Sequence, residues 1–194
     1  AKLYTDFGLM TCDESITNDV HLVFQQLTGT ALHLETRELW ESPFTLLDEL
    51  VAHIRAEAKA AKAGKKSLII AKMNALLEPT IIAELYKASQ AGVKIQLIVR
   101  GVCALQPGVK GLSDNIIVRS IIGRFLEHSR VFYFTAGKQE SLYLSSADWM
   151  NRNMLRRVEL AWPVEDPKLR QRIFNECLQT YLQDYVDAWV MNAN

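Results

Sequence analysis

SLIIAKMNALLEPTIIAELYKASQAGVKIQLIVR, residues 67–100, decides the fold class. SLIIA at 67–71 is a short apolar run with β-branched residues, which reads as a buried strand. Glu78-Pro79 opens a helix, because proline is tolerated at the first helical position, where its missing N–H would be unpaired anyway. Ile81, Ile82, Leu85 and Tyr86 supply an apolar stripe, and Gly92 supplies the stop. VKIQLIVR, Val93 to Arg100, is a second strand. Strand, helix and strand with tight connections favour a parallel pair with a right-handed crossover, and therefore an α/β domain.

Upstream, Asp13 to Gly29 reads as a helix, with Ile16, Val20, Val23, Phe24 and Leu27 at helical spacing. Ser42-Pro43 predicts the start of another, with serine as cap and proline at its first position. Its apolar stripe is Leu46, Leu47, Leu50, Val51 and Ile54, and its alanine- and lysine-rich tail stops near Gly64. Downstream, Asn115 to Ile122 and Ser129 to Thr135 are strands. Leu142 to Ser145 pairs with the second across a turn containing Gly137, which makes the sheet mixed. From Pro167 onward, Leu169, Ile173, Phe174, Cys177, Leu178, Tyr181, Leu182, Tyr185 and Trp189 lie on one face of a last helix.

The 194 residues are 49% hydrophobic, enough for one sizeable core. Cys12, Cys103 and Cys177 are odd in number and widely spaced, so neither a disulfide framework nor a metal-ligand pair is expected, and a reducing compartment fits. No run approaches the roughly 20 apolar residues of a membrane span, and AKLYTDFG has no signal-peptide pattern; a cytoplasmic location is expected. The chain starts without methionine, inside what reads as a structured segment, and is taken as a fragment. Lys plus Arg equals Asp plus Glu at 22 each. Residues 100–157 nevertheless hold nine basic residues against four acidic ones, a local field that recruits anions.

No GxxxxGK loop is present; Gly108 and Gly111 sit in PGVKG. Chemistry is best placed in GRFLEHSR, 123–130, where His128 lies among Arg124, Glu127 and Arg130 at a loop-to-strand junction. An imidazole near neutral pKa protonates a leaving oxygen or acts as nucleophile, and guanidinium groups hold phosphoryl oxygens with forked hydrogen bonds. His21, His33 and His53 read as structural or surface residues. YLSSADWMNRN, 143–153, reads either as an oxyanion-binding turn or as a capped turn with Trp149 and Met150 in the core. KMN at 72–74 follows a parallel strand, a favoured ligand position.

KLYTDFGLMT at 2–11, KMNALLEPTII at 72–82, GVKIQLIVRG at 92–101, GRFLEHSR and YLSSADWMNRN together resemble the C-terminal region of bacterial polyphosphate kinases, in order and over essentially the whole chain. The resemblance implies a phospholipase D-like α/β fold, a mixed sheet flanked by helices, forming the second of two similar catalytic halves. Residues 1–32 would be the tail of the preceding half and 33–194 the second domain. It implies reversible transfer of the ATP γ-phosphoryl group to polyphosphate through a phosphohistidine upstream of this chain, with Mg2+.

His128 would then assist as acid or base, and the motif reads His128-Ser129-Arg130, with arginine where many phospholipase D relatives have lysine. Tyr4 matches the tyrosine beside the nucleotide base, and Arg100, Arg130 and Arg157 are matched to phosphates. Asn74, Ser146, Asp148 and Asn151 are implied to bond phosphate or orient His128; no magnesium ligand is assigned. Inorganic polyphosphate, ATP and ADP are the implied partners, together with a homo-oligomer and no nucleic acid. A phosphodiesterase of the same superfamily and a noncatalytic anion-binding module are the competing functions.

Overall fold

The computed structural model describes residues 3–30 and 34–192. His33, and with it the expected boundary between residues 32 and 33, lies outside the described residues. In chain order the elements are β1 (Tyr4–Thr5), α1 (Glu14–Leu27), β2 (Trp40–Ser42), α2 (Leu46–Lys62), β3 (Leu68–Met73), α3 (Pro79–Gln90) and β4 (Lys94–Val99). Then come β5 (Ile116–Ile121), β6 (Leu126–Glu127), β7 (Arg130–Ala136), β8 (Gln139–Ser145), α4 (Asn151–Leu155) and β9 (Glu159–Pro163). The chain closes with α5 (Pro167–Ile173), a π-helical turn Phe174–Gln179, α6 (Thr180–Leu182) and β10 (Ala188–Val190).

The strand–helix–strand reading holds. β3 pairs parallel with β4 from Leu68↔Lys94 to Met73↔Val99, and α3 crosses between them. Pro79 occupies the first turn of α3, and the Glu78 carboxylate accepts from the Ile81 N–H at 2.6 Å, closing one of the donors a helix start leaves open. β4 pairs parallel with β5, whereas β7 runs antiparallel to β3. β7 and β8 form the expected hairpin, Phe132↔Tyr143 through Ala136↔Gln139. Its tight turn needs a left-handed residue and has Gly137 at φ 70°. The result is a mixed eight-stranded sheet in the order β10-β5-β4-β3-β7-β8-β9-β2, with β1 and β6 forming a separate parallel pair.

Alternation along the strands divides the interior in two. Ile69, Ala71 and Met73 face α2 and α3, packing with Leu46, Leu50, Ile54, Ile81 and Leu85, all at most 1% exposed. Ile70 faces the other way, with Ile98, Val131, Tyr133 and Leu142, under Cys177 and Leu178 of the last helix. Each such leucine or isoleucine stabilises the fold by about 1.5–3 kcal/mol through its burial.

Three local expectations change. Ser42-Pro43 does not cap a helix: Ser42 is the last residue of β2, paired with Glu159, and its hydroxyl donates to the Asn153 carbonyl. The Phe44 and Thr45 N–H groups then turn back onto the Glu41 carbonyl at 3.0 and 2.7 Å, and α2 starts at Leu46. The last helix stops at Leu182, because Asp184 Oδ1 takes the Val186 and Asp187 N–H groups at 2.7 and 3.1 Å and turns the chain into β10. Tyr185 and Trp189 therefore stand exposed beyond it, and Leu169 is exposed within it. In α1, Val20, Phe24 and Leu27 are exposed, whereas Asp19 is buried and accepts the N–H groups of Arg37, Glu38 and Leu39 on one oxygen.

Candidate active site

β3, β4 and β5 end at the same edge of the sheet at which β7 begins. Sheet winding reverses direction between β3 and β7, and such switch points are where α/β folds build ligand sites. Arg100 and Gly101 follow β4, Asn74 follows β3, and His128 and Ser129 lead into β7. Gly101 is needed here, since a Cβ at that position would stand 3.0 Å from the Asn74 carbonyl oxygen, to which its N–H donates at 2.9 Å.

His128 is held from several sides. Leu126 and Glu127 pair with Tyr4 and Thr5, so the N-terminal segment lies along the loop that carries the histidine. His128 Nδ1 is 2.7 Å from Asp6 Oδ1. An ionised carboxylate only accepts, so Nδ1 is the donor in this contact. Arg130 Nη1 stands 3.2 Å from Nε2. The Tyr4 ring meets the imidazole edge-on, with centroids 5.1 Å apart and planes at 83°. Tyr4 itself is 60% exposed, so its outer face is open.

Behind the histidine lies a fixed polar layer. Arg130 grips Asp148 through Nε at 3.2 Å and Nη2 at 3.0 Å. Asp148 also accepts the Asn74 N–H at 2.7 Å, and the Asn74 amide donates to the His128 carbonyl at 3.4 Å. Arg130, Asp148 and Asn74 thus form one hydrogen-bonded layer behind the histidine. Arg100 differs: its Nη1 is buried without a hydrogen-bond partner, and with Arg124 it lines a small cavity of about 180 Å³ beside the 123–126 loop. A guanidinium N–H left unpaired inside a protein is costly and calls for an acceptor.

The remaining expected residues gather two strands away. Ser146 donates to Glu159 Oε2 at 2.5 Å, and Arg157 lies 3.8 Å from Glu159 Oε1. Asn151 is exposed at the start of α4, and no hydrogen bond joins it to His128 or Arg130 among the described residues. In the YLSSADWMNRN segment the core reading holds for Trp149, which is fully buried, and in part for Met150, while Asp148 bonds Arg130 and the Asn74 N–H. His53 is structural, packed among Trp40, Phe134 and Tyr143, and His21 is on the surface. Sequence reasoning missed Asp6 and Thr5, and it put KMN at 72–74 after the strand, whereas Lys72 and Met73 lie within β3 and Lys72 is buried. Asp6 was detectable only as a carboxylate two residues after Tyr4, with nothing local to join it to position 128.

The described residues contain no cluster of three or more His, Cys, Asp and Glu able to hold a metal ion. The carboxylates nearest the histidine are already engaged: Asp148 with Arg130, Glu127 with Lys72 and Asp6 with His128. The described residues therefore do not offer a set of ligands that fits a magnesium ion. No described helix is long and apolar enough to cross a membrane.

The sheet order, the switch-point histidine and the helices on both faces define a phospholipase D-like α/β unit. The solved structure of Nuc from Salmonella typhimurium, a phospholipase D family member, superposes with a TM-score of 0.55 over 80% of this chain and 97% of that one, at 14% identity, a likeness of fold alone. Residues 39–194 match the family described as polyphosphate kinase C-terminal domain 2, and the chain belongs to the polyphosphate kinase family. The polyphosphate kinase of Paraburkholderia phytofirmans is 64% identical and that of Burkholderia cenocepacia 61%, each over the whole of this chain. The crystal structure of polyphosphate kinase from Porphyromonas gingivalis matches with a TM-score of 0.91 over 95% of the chain, at 38% identity, and 28% of its own length is covered. The chain spans 28% of the length of the two curated relatives as well.

Proposed function

We propose that this chain supplies the acid/base half of a polyphosphate kinase site, in which the ATP γ-phosphoryl group passes reversibly to polyphosphate through a phosphohistidine outside these 194 residues. In this reading residues 1–32 end the preceding half and 33–194 form the second. The observation that carries it is His128 fixed between Asp6 and Arg130 at the same sheet edge as Arg100, whose inner N–H lacks an acceptor. The upstream histidine attacks the γ-phosphorus, the bond from phosphorus to the bridging oxygen breaks, and the ADP oxygen takes the Nε2 proton of His128 in its imidazolium form, which leaves the neutral ring with Nδ1–H still paired to Asp6. Asp6 supports the charged imidazole while it carries that proton. Arg100 and Arg124 offer guanidinium groups to phosphoryl oxygens, and the open face of Tyr4 stacks on adenine. A terminal polyphosphate oxygen then attacks the phosphohistidine, and the chain lengthens by one unit. Magnesium, if the complete enzyme uses it as its family implies, is held by residues outside this chain.

The complete enzyme tests this. Arg100→Ala should lower kcat/KM by about 100- to 1,000-fold, the usual loss when one donor to transition-state charge is removed, and Arg100→Lys should restore little, because an ammonium cannot replace the fork. Near-wild-type turnover of both variants would refute the role of Arg100. An enzyme that cleaved phosphodiesters, yet neither consumed ATP with polyphosphate nor made ATP from polyphosphate and ADP, would refute the kinase reading.

A further inference from the structure

Lys72 stands where the strand pattern calls for a hydrophobe. It shares the β3 face of Ile70, beneath the last helix, and is 2% exposed. A buried ammonium is tolerated only when paired and hydrogen-bonded, and every partner of this one flanks His128. Its Nζ is 3.2 Å from Glu127 Oε2, 2.7 Å from Ser129 Oγ and 3.3 Å from the Ser129 carbonyl. Glu127 Oε2 also accepts from Tyr181 Oη at 2.7 Å and from Thr5 Oγ1 at 3.0 Å. The residues immediately before and after the histidine are thus tied to the sheet floor, the last helix and the N-terminal segment.

We propose that Lys72, Glu127 and Tyr181 form an internal clamp that positions His128 for proton transfer, with the last helix as its outer jaw. This rests on the acid/base reading of His128. The π-helical turn Phe174–Gln179 directly precedes Tyr181 and places Cys177 3.8 Å from Ser129 Oγ. Insertions of this kind shift the side chains that follow relative to the turns before them. Burial, and next the Glu127 carboxylate, push the Tyr181 phenol well above its ordinary value, so it remains a donor at any working pH. The Lys72 ammonium lies 5.1 Å from the Tyr181 ring centroid, within range of its π face. The clamp touches no substrate. It acts through the histidine, where a displacement of about 1 Å costs on the order of 100-fold in rate.

The test uses the complete enzyme and the variants Y181F, K72M, K72R and H128A, with melting temperature followed throughout. Y181F removes one hydroxyl and should lower kcat about 10-fold, within the range seen for partners that orient a reacting group, while KM for ATP and for polyphosphate stays within about twofold. K72M should fall further and K72R should recover part of the loss. In an H128A background Y181F should change nothing more. If Y181F lowers the rate by the same factor with and without His128, or raises KM at unchanged kcat, the clamp is refuted. Where H128A turnover is too low to measure, the division between kcat and KM and the K72R recovery decide. Wild-type turnover of H128A would instead overturn the underlying reading of the histidine, a result distinct from failure of the clamp.

Discussion

Asp148→Ala should destabilise this chain more than its position near the surface of a catalytic edge suggests. The Asp148 and Arg130 side chains are 10% and 12% exposed, joined by two hydrogen bonds of 3.0 and 3.2 Å, and Asp148 also takes the Asn74 N–H at 2.7 Å. Removing the carboxylate strands a guanidinium and a backbone donor in a nearly dry layer. Losing one partner of a buried pair costs about 3–5 kcal/mol, against about 0–1 kcal/mol for an exposed pair. For a chain of this size that is roughly 6–20 °C in Tm. Arg130→Met should cost a similar amount, but the double variant should cost clearly less than the sum, because neither orphan then remains. Urea denaturation of the four proteins measures the cycle. A cost below about 1 kcal/mol for Asp148→Ala, or additivity within about 0.5 kcal/mol, would refute the view that this pair braces the site.

Burial raises the Glu57 carboxyl to about 7, with the Leu68 N–H bond opposing the shift, and its Oε1 has no partner. Its folded pKa lies above its ordinary one of 4.5, so stability is full below about pH 4.5 and falls as pH rises through 7, by up to about 3 kcal/mol; Glu57→Gln should remove that slope in denaturation measured from pH 5 to 8, and an unchanged slope would assign it elsewhere. Tyr4→Ala in the complete enzyme should raise KM for ATP more than for polyphosphate, with Tyr4→Phe near wild type and Tm little changed because the ring is exposed; equal losses for both substrates with a large fall in Tm would make Tyr4 a packing residue. Incubated with γ-labelled ATP and magnesium, the 194-residue chain should fold but make no polyphosphate, and stoichiometric label on His128 followed by transfer would make His128 the nucleophile.

The fold was legible where local signals and tertiary demands agree. Residues 67–100 combine apolar strands, a proline at a helix start and a glycine stop, and strand, helix and strand appear in that order, with the first strand running on through Lys72 and Met73. The failures lie where periodicity continues past a break. Tyr185 and Trp189 fit the helical stripe of residues 169–182, yet the Asp184 turn sends them into a loop and an edge strand. Ser42-Pro43 carries a capping signature, but pairing of Trp40–Ser42 with β9 takes that serine for the sheet. Sequence pattern describes what a segment prefers alone; strand pairing across more than a hundred residues overrides it.

The site divides along the same line. His128 and Arg130 were legible because charge and imidazole are concentrated in eight residues at a loop-to-strand junction. Asp6, which accepts from His128 Nδ1, is 122 residues away, and Lys72, in the KMN stretch read as a ligand position after the strand, lies buried inside β3. The N-terminal segment holds the histidine's loop by a two-residue strand pair, the Asp6 contact and three Thr5 hydroxyl bonds, while Leu3, Tyr4 and Phe7 stay 56%, 60% and 40% exposed. Hydrogen bonds contribute about 0.5–1.5 kcal/mol each on balance, so this attachment is worth only a few kcal/mol, far less than the packed core beneath it. A division of the chain between residues 32 and 33 would part His128 from Tyr4, Thr5 and Asp6, and would also part Ile16, Asp19 and Val23 of α1 from Leu39. The segment that reaches His128 from the N-terminal side therefore contributes almost nothing to the core.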